Sequence, residues 1–164
     1  MGTWHNADGL YVKLGVDEGT PSKGGEVHNG ANSYVWEADI DLSILAVASS
    51  TVLSDTSFLP QGARIEAVEV ITLTVADSAS DTAVLNVGTI DADTRTSGDP
   101  DGLVLSAAQT TIDAAGERMY LTTGGDAGAL IGTTLDENQL VVADADTEVF
   151  TAGRVKIRIF YFFP

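Results

Sequence analysis

The chain has 164 residues, no cysteine, and 8 Lys and Arg against 24 Asp and Glu, for a formal net charge of −16. This excludes disulfides, thiolate metal sites and cysteine nucleophiles, and it makes nucleic acid a repelled partner. No segment approaches the roughly 20 apolar residues needed to span a bilayer, and no charged start with an apolar run behind it suggests a secretory signal, so use without membrane or Sec export is the expectation.

The first stretch, residues 1–32, is polar and punctuated by Gly15, Gly19, Pro21, Gly24, Gly25 and Gly30, which disfavour a regular helix or a central strand. Its one local apolar patch is Leu10, Tyr11, Val12 and Leu14, with Trp4 ahead of it. Disordered tails tend to lack such residues. The stretch therefore reads as an extended N-terminal arm that meets a surface, ahead of a domain over 33–164. His5 and His28 stand at no metal-binding spacing.

From Ser33 onward the pattern is that of strands. Tyr34, Trp36, Ala38, Ile40 and Leu42 share one parity, while Ser33, Glu37, Asp39 and Asp41 share the other, as in a half-buried strand. The run Ala63–Ala76 places Ile65, Ala67, Ile71, Leu73 and Val75 inward with Glu69 as the exception, and Arg64, Glu66, Thr72 and Thr74 outward. Shorter strands are predicted over Ala83–Ile90, Gly102–Leu105, Arg118–Thr122, Gln139–Ala143 and Arg154–Phe163, with turns over Asp77–Asp81, Asp91–Gly102 and Thr122–Gly128. One short helix is predicted around Leu105–Thr111. The sum is an all-β fold, an antiparallel β-sandwich of jelly-roll-like kind with an extended N-terminal arm.

Chemistry finds little footing in these residues. No G-x-S-x-G elbow, G-x-G-x-x-G or P-loop pattern occurs, so the chain does not read as an enzyme. The acidic loop Asp91, Asp93, Asp99 and Asp101 invites a weak Ca2+ site, but Arg95 and Gly102 stand at the fifth and twelfth positions, where an EF-hand needs ligands. A solvated loop is the plainer reading. In the last strand Arg154, Lys156 and Arg158 alternate with Val155, Ile157 and Ile159, a basic face in an acidic protein. Either acids pair with it across the sheet or a partner does. The aromatic run Phe160–Phe163 that follows is expected to be buried from both faces, by a second sheet or by a neighbouring subunit.

The opening Thr3-Trp4-His5-Asn6-Ala7-Asp8-Gly9-Leu10-Tyr11-Val12-Lys13, followed by Glu18-Gly19-Thr20-Pro21 and Lys23-Gly24-Gly25-Glu26, resembles the start of capsid cement or decoration proteins of tailed bacteriophages. Pro60-Gln61-Gly62-Ala63-Arg64-Ile65-Glu66, Thr111-Ile112-Asp113-Ala114-Ala115-Gly116-Glu117, Gly128-Ala129-Leu130-Ile131-Gly132-Thr133 and Phe150-Thr151-Ala152-Gly153 are similar too. The resemblance implies a β-sandwich body, a homotrimer, on the outer surface of an icosahedral head, where it binds and bridges the major capsid protein after assembly in the host cytoplasm. It brings no catalytic residues. On this reading Trp4, His5, Leu10, Tyr11, Val12 and Lys13 are the first candidates for capsid or intersubunit contact, and Arg154, Lys156 and Arg158 the second. The rival reading is a phage tail-fibre or host-recognition module that binds carbohydrate, with Trp36 or Tyr120 as the stacking platform.

Overall fold

The computed structural model describes residues 33–164 throughout and, before them, the backbone of two short strands, β1 (Thr3–His5) and β2 (Tyr11–Lys13). These two pair antiparallel, with Trp4 opposite Val12 and His5 opposite Tyr11. The chain divides into a unit of Met1–Ala31 and a unit of Asn32–Pro164.

In the second unit the strands are β3 (Ser33–Asp41), β4 (Thr51–Val52), β5 (Phe58–Leu59), β6 (Arg64–Ser78), β7 (Val84–Asp91), β8 (Gly98–Ala108), β9 (Arg118–Leu121), β10 (Gln139–Asp146) and β11 (Phe150–Phe162). One sheet runs β3-β11-β6-β9; the other runs β4-β10-β7-β8, with β5 also pairing β10. All pairings among these strands are antiparallel. If β4 and β5 are taken as one interrupted strand, every connection passes from one sheet to the other except the β7–β8 hairpin. That is the winding of a jelly roll, so the expected sandwich holds for 33–164, while the extended arm expected over 1–32 falls mostly outside the described residues.

Between the sheets lies one apolar core, to which β3 contributes Trp36 and Ile40, β6 Ile65, Val68 and Val70, β7 Leu85 and Val87, β10 Val141 and Ala143, and β11 Val155, Ile157 and Ile159. The alternation read in β3 and β11 is the alternation observed. In β6 it is not. Val68 and Val70 are fully buried in the core, whereas Leu73 and Val75, expected inward, are 36% and 51% exposed, and Thr72, expected outward, is buried. Register explains the difference: Phe160 and Tyr161 are adjacent but pair with Ala67 and Ile65, so β6 carries an extra residue there, and further irregularities follow between Thr72 and Ser78. The bulge between Ile65 and Ala67 moves the inward set from odd to even positions, which brings Val68 and Val70 into the core and turns Leu73 and Val75 out.

Three further expectations are corrected. The segment Leu105–Ala108 is the end of β8, and only Gln109–Thr111 forms a single 3-10 turn. Pairing of Ala107 and Ala108 with Leu85 and Val84 overrides the local helical preference. In the stretch read as a turn, β8 already begins at Gly98; Thr89 pairs with Asp99 but Val87 with Val104, so β8 bows out between them. Gly88 permits this, because a Cβ there would overlap the backbone of Asp99 and Pro100. The aromatic run is the third correction: Phe160 to Phe163 are only half-buried, because the second sheet does not cover both their faces. Tyr161 and Phe163 pack against the core, and Phe160 and Phe162 take the other parity of β11.

The long segment before β10 closes one side of the sandwich. Leu105 and Leu130 donate to the carbonyls of Asp126 and Gly102 (both 2.8 Å), and Gly132 then donates to Ile65 (2.8 Å), so it follows the edge of β8 and continues to β6. On the other side, the Glu148 carboxylate ties the β10–β11 turn to the β6–β7 loop. Its Oε2 accepts from Ser78 Oγ (2.9 Å), Ser80 N–H (3.1 Å) and Thr82 Oγ1 (3.1 Å). These donors, Ser78 foremost, hold its pKa below the ordinary glutamate value.

Because that folded-state pKa is lowered, Glu148 contributes its full stability above the unfolded value of about 4.3 and loses it as pH falls through the folded value. Glu148→Gln should therefore melt lower than the parent at neutral pH and decline less on acidification from about pH 5 to pH 3. Parallel melting curves would contradict this. For the bulged register, Val68→Ala should cost about 2 kcal/mol or more in urea unfolding and Val75→Ala about 0.5 kcal/mol or less, with the reverse order contradicting it.

Candidate functional site

The outward face of the β3-β11-β6-β9 sheet gathers the basic residues noted in the last strand. Pairing sets Arg154 opposite Asp41, Lys156 opposite Asp39 and Arg158 opposite Glu37. Lys156 Nζ lies 2.9 Å from Asp39 Oδ1 and 3.5 Å from Glu37 Oε1, and Arg154 Nη2 lies 3.8 Å from Asp39 Oδ2. Arg158 reaches both ways, from Nε to Glu37 Oε2 at 3.2 Å and from Nη1 to Glu69 Oε2 at 3.4 Å. Arg118 Nη1 on β9 meets the other oxygen of Glu69 at 3.0 Å. Glu69, the one exception in the apolar reading of β6, is 9% exposed and is the acceptor that makes its burial tolerable for two arginines to share. That exception was the sequence signal for the network.

Four cations and four carboxylates thus interleave across four strands. The hydrogen bond to Asp39 is the chief reason that the Lys156 pKa is raised, and the hydroxyl and N–H of Ser43 hold Asp41 below its usual range. The second-rank contact candidates Arg154, Lys156 and Arg158 are met by carboxylates of their own sheet, each side chain remaining partly open to solvent.

Toward the end of β11 the same face turns apolar. Val35, Phe160 and Ala67 stand in one row, and Tyr120 lies opposite Glu69 in the next. Val35 and Tyr120 are 50% and 61% exposed, and the Tyr120 and Phe160 rings lie 6.0 Å apart. At the same end Tyr34 stacks on Tyr161 at 5.4 Å, and Phe163 meets both edge-on. Trp36 is no stacking platform: its ring is buried in the core at 5% exposure because it falls on the inward parity of β3. Of the first-rank candidates, Trp4, His5, Tyr11, Val12 and Lys13 lie on the β1–β2 hairpin, while Leu10 and all these side chains lie outside the described residues.

The acidic loop resolves into two separate pairs. Asp91 is buried; its Oδ1 accepts the N–H groups of Asp93 (2.7 Å) and Thr94 (2.6 Å), and its pKa is lowered first by Thr94 and then by a hydrogen bond with Glu137. Glu137, raised in turn by Asp91, takes a further bond from Gln139 Nε2 at 3.0 Å. Asp99 sits in β8, where burial first and the neighbouring Asp101 second raise its pKa. Arg95 leaves the loop to pair with Asp55 at 2.8 Å. Among the described residues no three of His, Asp and Glu converge as a metal-ligand set.

No protein-family model matches the sequence, and no curated protein matches it. Solved structures do match. A chain in the acidic stable capsid structure of Helicobacter pylori bacteriophage KHP30 is 20% identical at a TM-score of 0.53, over 82% of this chain and 90% of that one. A chain of the cyanophage Pam1 capsid asymmetric unit is 20% identical at 0.55, over 93% of this chain and 100% of that one. A chain from the capsid of Ralstonia phage GP4 is 15% identical at 0.57, over 82% and 86%. The sandwich is thus a fold that chains in phage capsid structures adopt, nearly end to end.

Proposed function

We propose that this chain is a virion structural protein of a tailed phage, a homotrimeric decoration protein that sits on the outer surface of the icosahedral head and bridges major capsid subunits. The observation that carries the reading is the shared fold: three chains from phage capsid structures match most of this chain and most of their own length. The sequence resemblance to cement proteins from Trp4 to Lys13 supports it independently.

Charge supports the outer position. A body of −16 is repelled by packaged DNA and favours the side of the shell that faces solvent. A protein that binds only the assembled shell stabilises it by mass action, about 2.7 kcal/mol at a hundredfold excess over Kd. An arm of some 30 residues spans at most on the order of 100 Å, enough to reach beyond the footprint of its own body. The arm would supply the aromatic anchors, Trp4 and Tyr11, and Lys13 would meet a carboxylate of the shell.

Purified chain incubated with undecorated heads should co-sediment with them and raise the temperature at which they release DNA. A variant lacking residues 1–30 should keep the far-UV spectrum of the sandwich and lose head binding. Full-length chain that ignores heads but binds glycans on an array would overturn the reading in favour of host recognition, and unaltered binding by the truncated variant would remove the arm from it.

A further inference from the structure

We propose that the outward face of the β3-β11-β6-β9 sheet is the surface through which copies of this chain contact one another. The reason begins with charge. Two bodies of −16 repel wherever their acidic surfaces approach within the screening length of about 8–10 Å. On this face Arg118, Arg154, Lys156 and Arg158 are matched by Glu37, Asp39, Asp41 and Glu69, so these eight groups sum to zero. They include half of the cations in the chain, and the whole of its net negative charge therefore lies elsewhere.

The neutral network borders a small apolar patch of exposed Val35 and Tyr120 and half-buried Phe160, set over fully buried Ala67. Aromatic groups rimmed by ordered charges are the anatomy of a contact surface. The occupant follows from the balance. A basic partner would choose the acid-rich surfaces, and an acidic one would gain nothing over a neutral patch. A second copy offers the same interleaved signs and the same apolar patch, and so is complementary to it. The cations are already held by their carboxylates, so little side-chain freedom remains to be lost on contact. This deepens the self-association part of the function proposed above and assigns it to residues.

The test uses the full chain alone, by sedimentation velocity across a concentration series. The wild type should self-associate, more tightly as salt rises, because screening relieves the repulsion of the acidic remainder. The double variant Val35→Glu with Tyr120→Glu alters two exposed positions and should weaken association at least about tenfold. Val149→Glu, at a residue equally exposed in the β10–β11 turn, should leave it unchanged. Hydrogen exchange on the wild type, which needs no variant to fold, should slow in β3 and β9 as concentration rises. A monomeric wild type, a double variant that associates like it, a Val149→Glu variant that dissociates as strongly, or exchange in β3 and β9 indifferent to concentration would each overturn the assignment. Head binding is read separately, so this surface can fail while decoration stands, and the converse.

Discussion

The structure depends on β11 lying between β3 and β6. One side of that strand puts Val155, Ile157 and Ile159 into the core, and the other puts Arg154, Lys156 and Arg158 against carboxylates on both neighbours. Without those cations, Glu37, Asp39 and Asp41 would stand in a row on one strand face with Glu69 half a sheet away, and like charges so placed repel. The basic alternation of the last strand thus permits an acid-rich first strand to join the sheet. Exposed ion pairs of this kind add little stability one by one, so the contribution is to pairing and surface character more than to the free energy of the core.

That arrangement separates two tasks by charge. The acid excess is left to the rest of the chain, where its field opposes the close approach of other polyanions. The neutral sheet face, bordered by Val35, Phe160 and Tyr120, is the surface proposed to be covered by another copy. On the proposed function both properties are needed, since a shell protein must stay dispersed until it meets its lattice and yet hold defined neighbours once there.

Much of this was legible in the sequence. The period of two reads the core correctly in β3 and in β11 from Arg154 onward, because neither changes face there; only before Arg154, where Phe150 also enters the core, is β11 irregular. β6 misleads because a bulge between Ile65 and Ala67, set against its partner β11, reverses its faces, and nothing local in Arg64–Ser78 marks it. The strands β4 and β5, of two residues each, are too short for any period to register. The helical reading of Leu105–Thr111 failed where pairing with β7 decided the backbone. The basic stripe was legible as a stripe, but the choice between a partner and its own acids required the register that places Asp39 beside Lys156. Gly88 makes the same point for the backbone, since only the folded chain reveals the strand that crosses it.

The central claim, an outer-surface shell protein whose neutral sheet face meets its own kind, is tested most directly by a cryo-EM reconstruction of heads carrying this chain. The account predicts sandwich density on the outside of the shell, in clusters in which the β3-β11-β6-β9 face of each copy, with Val35 and Tyr120, lies against another copy. Density inside the shell, or copies on the outside with that face open to solvent, would contradict it.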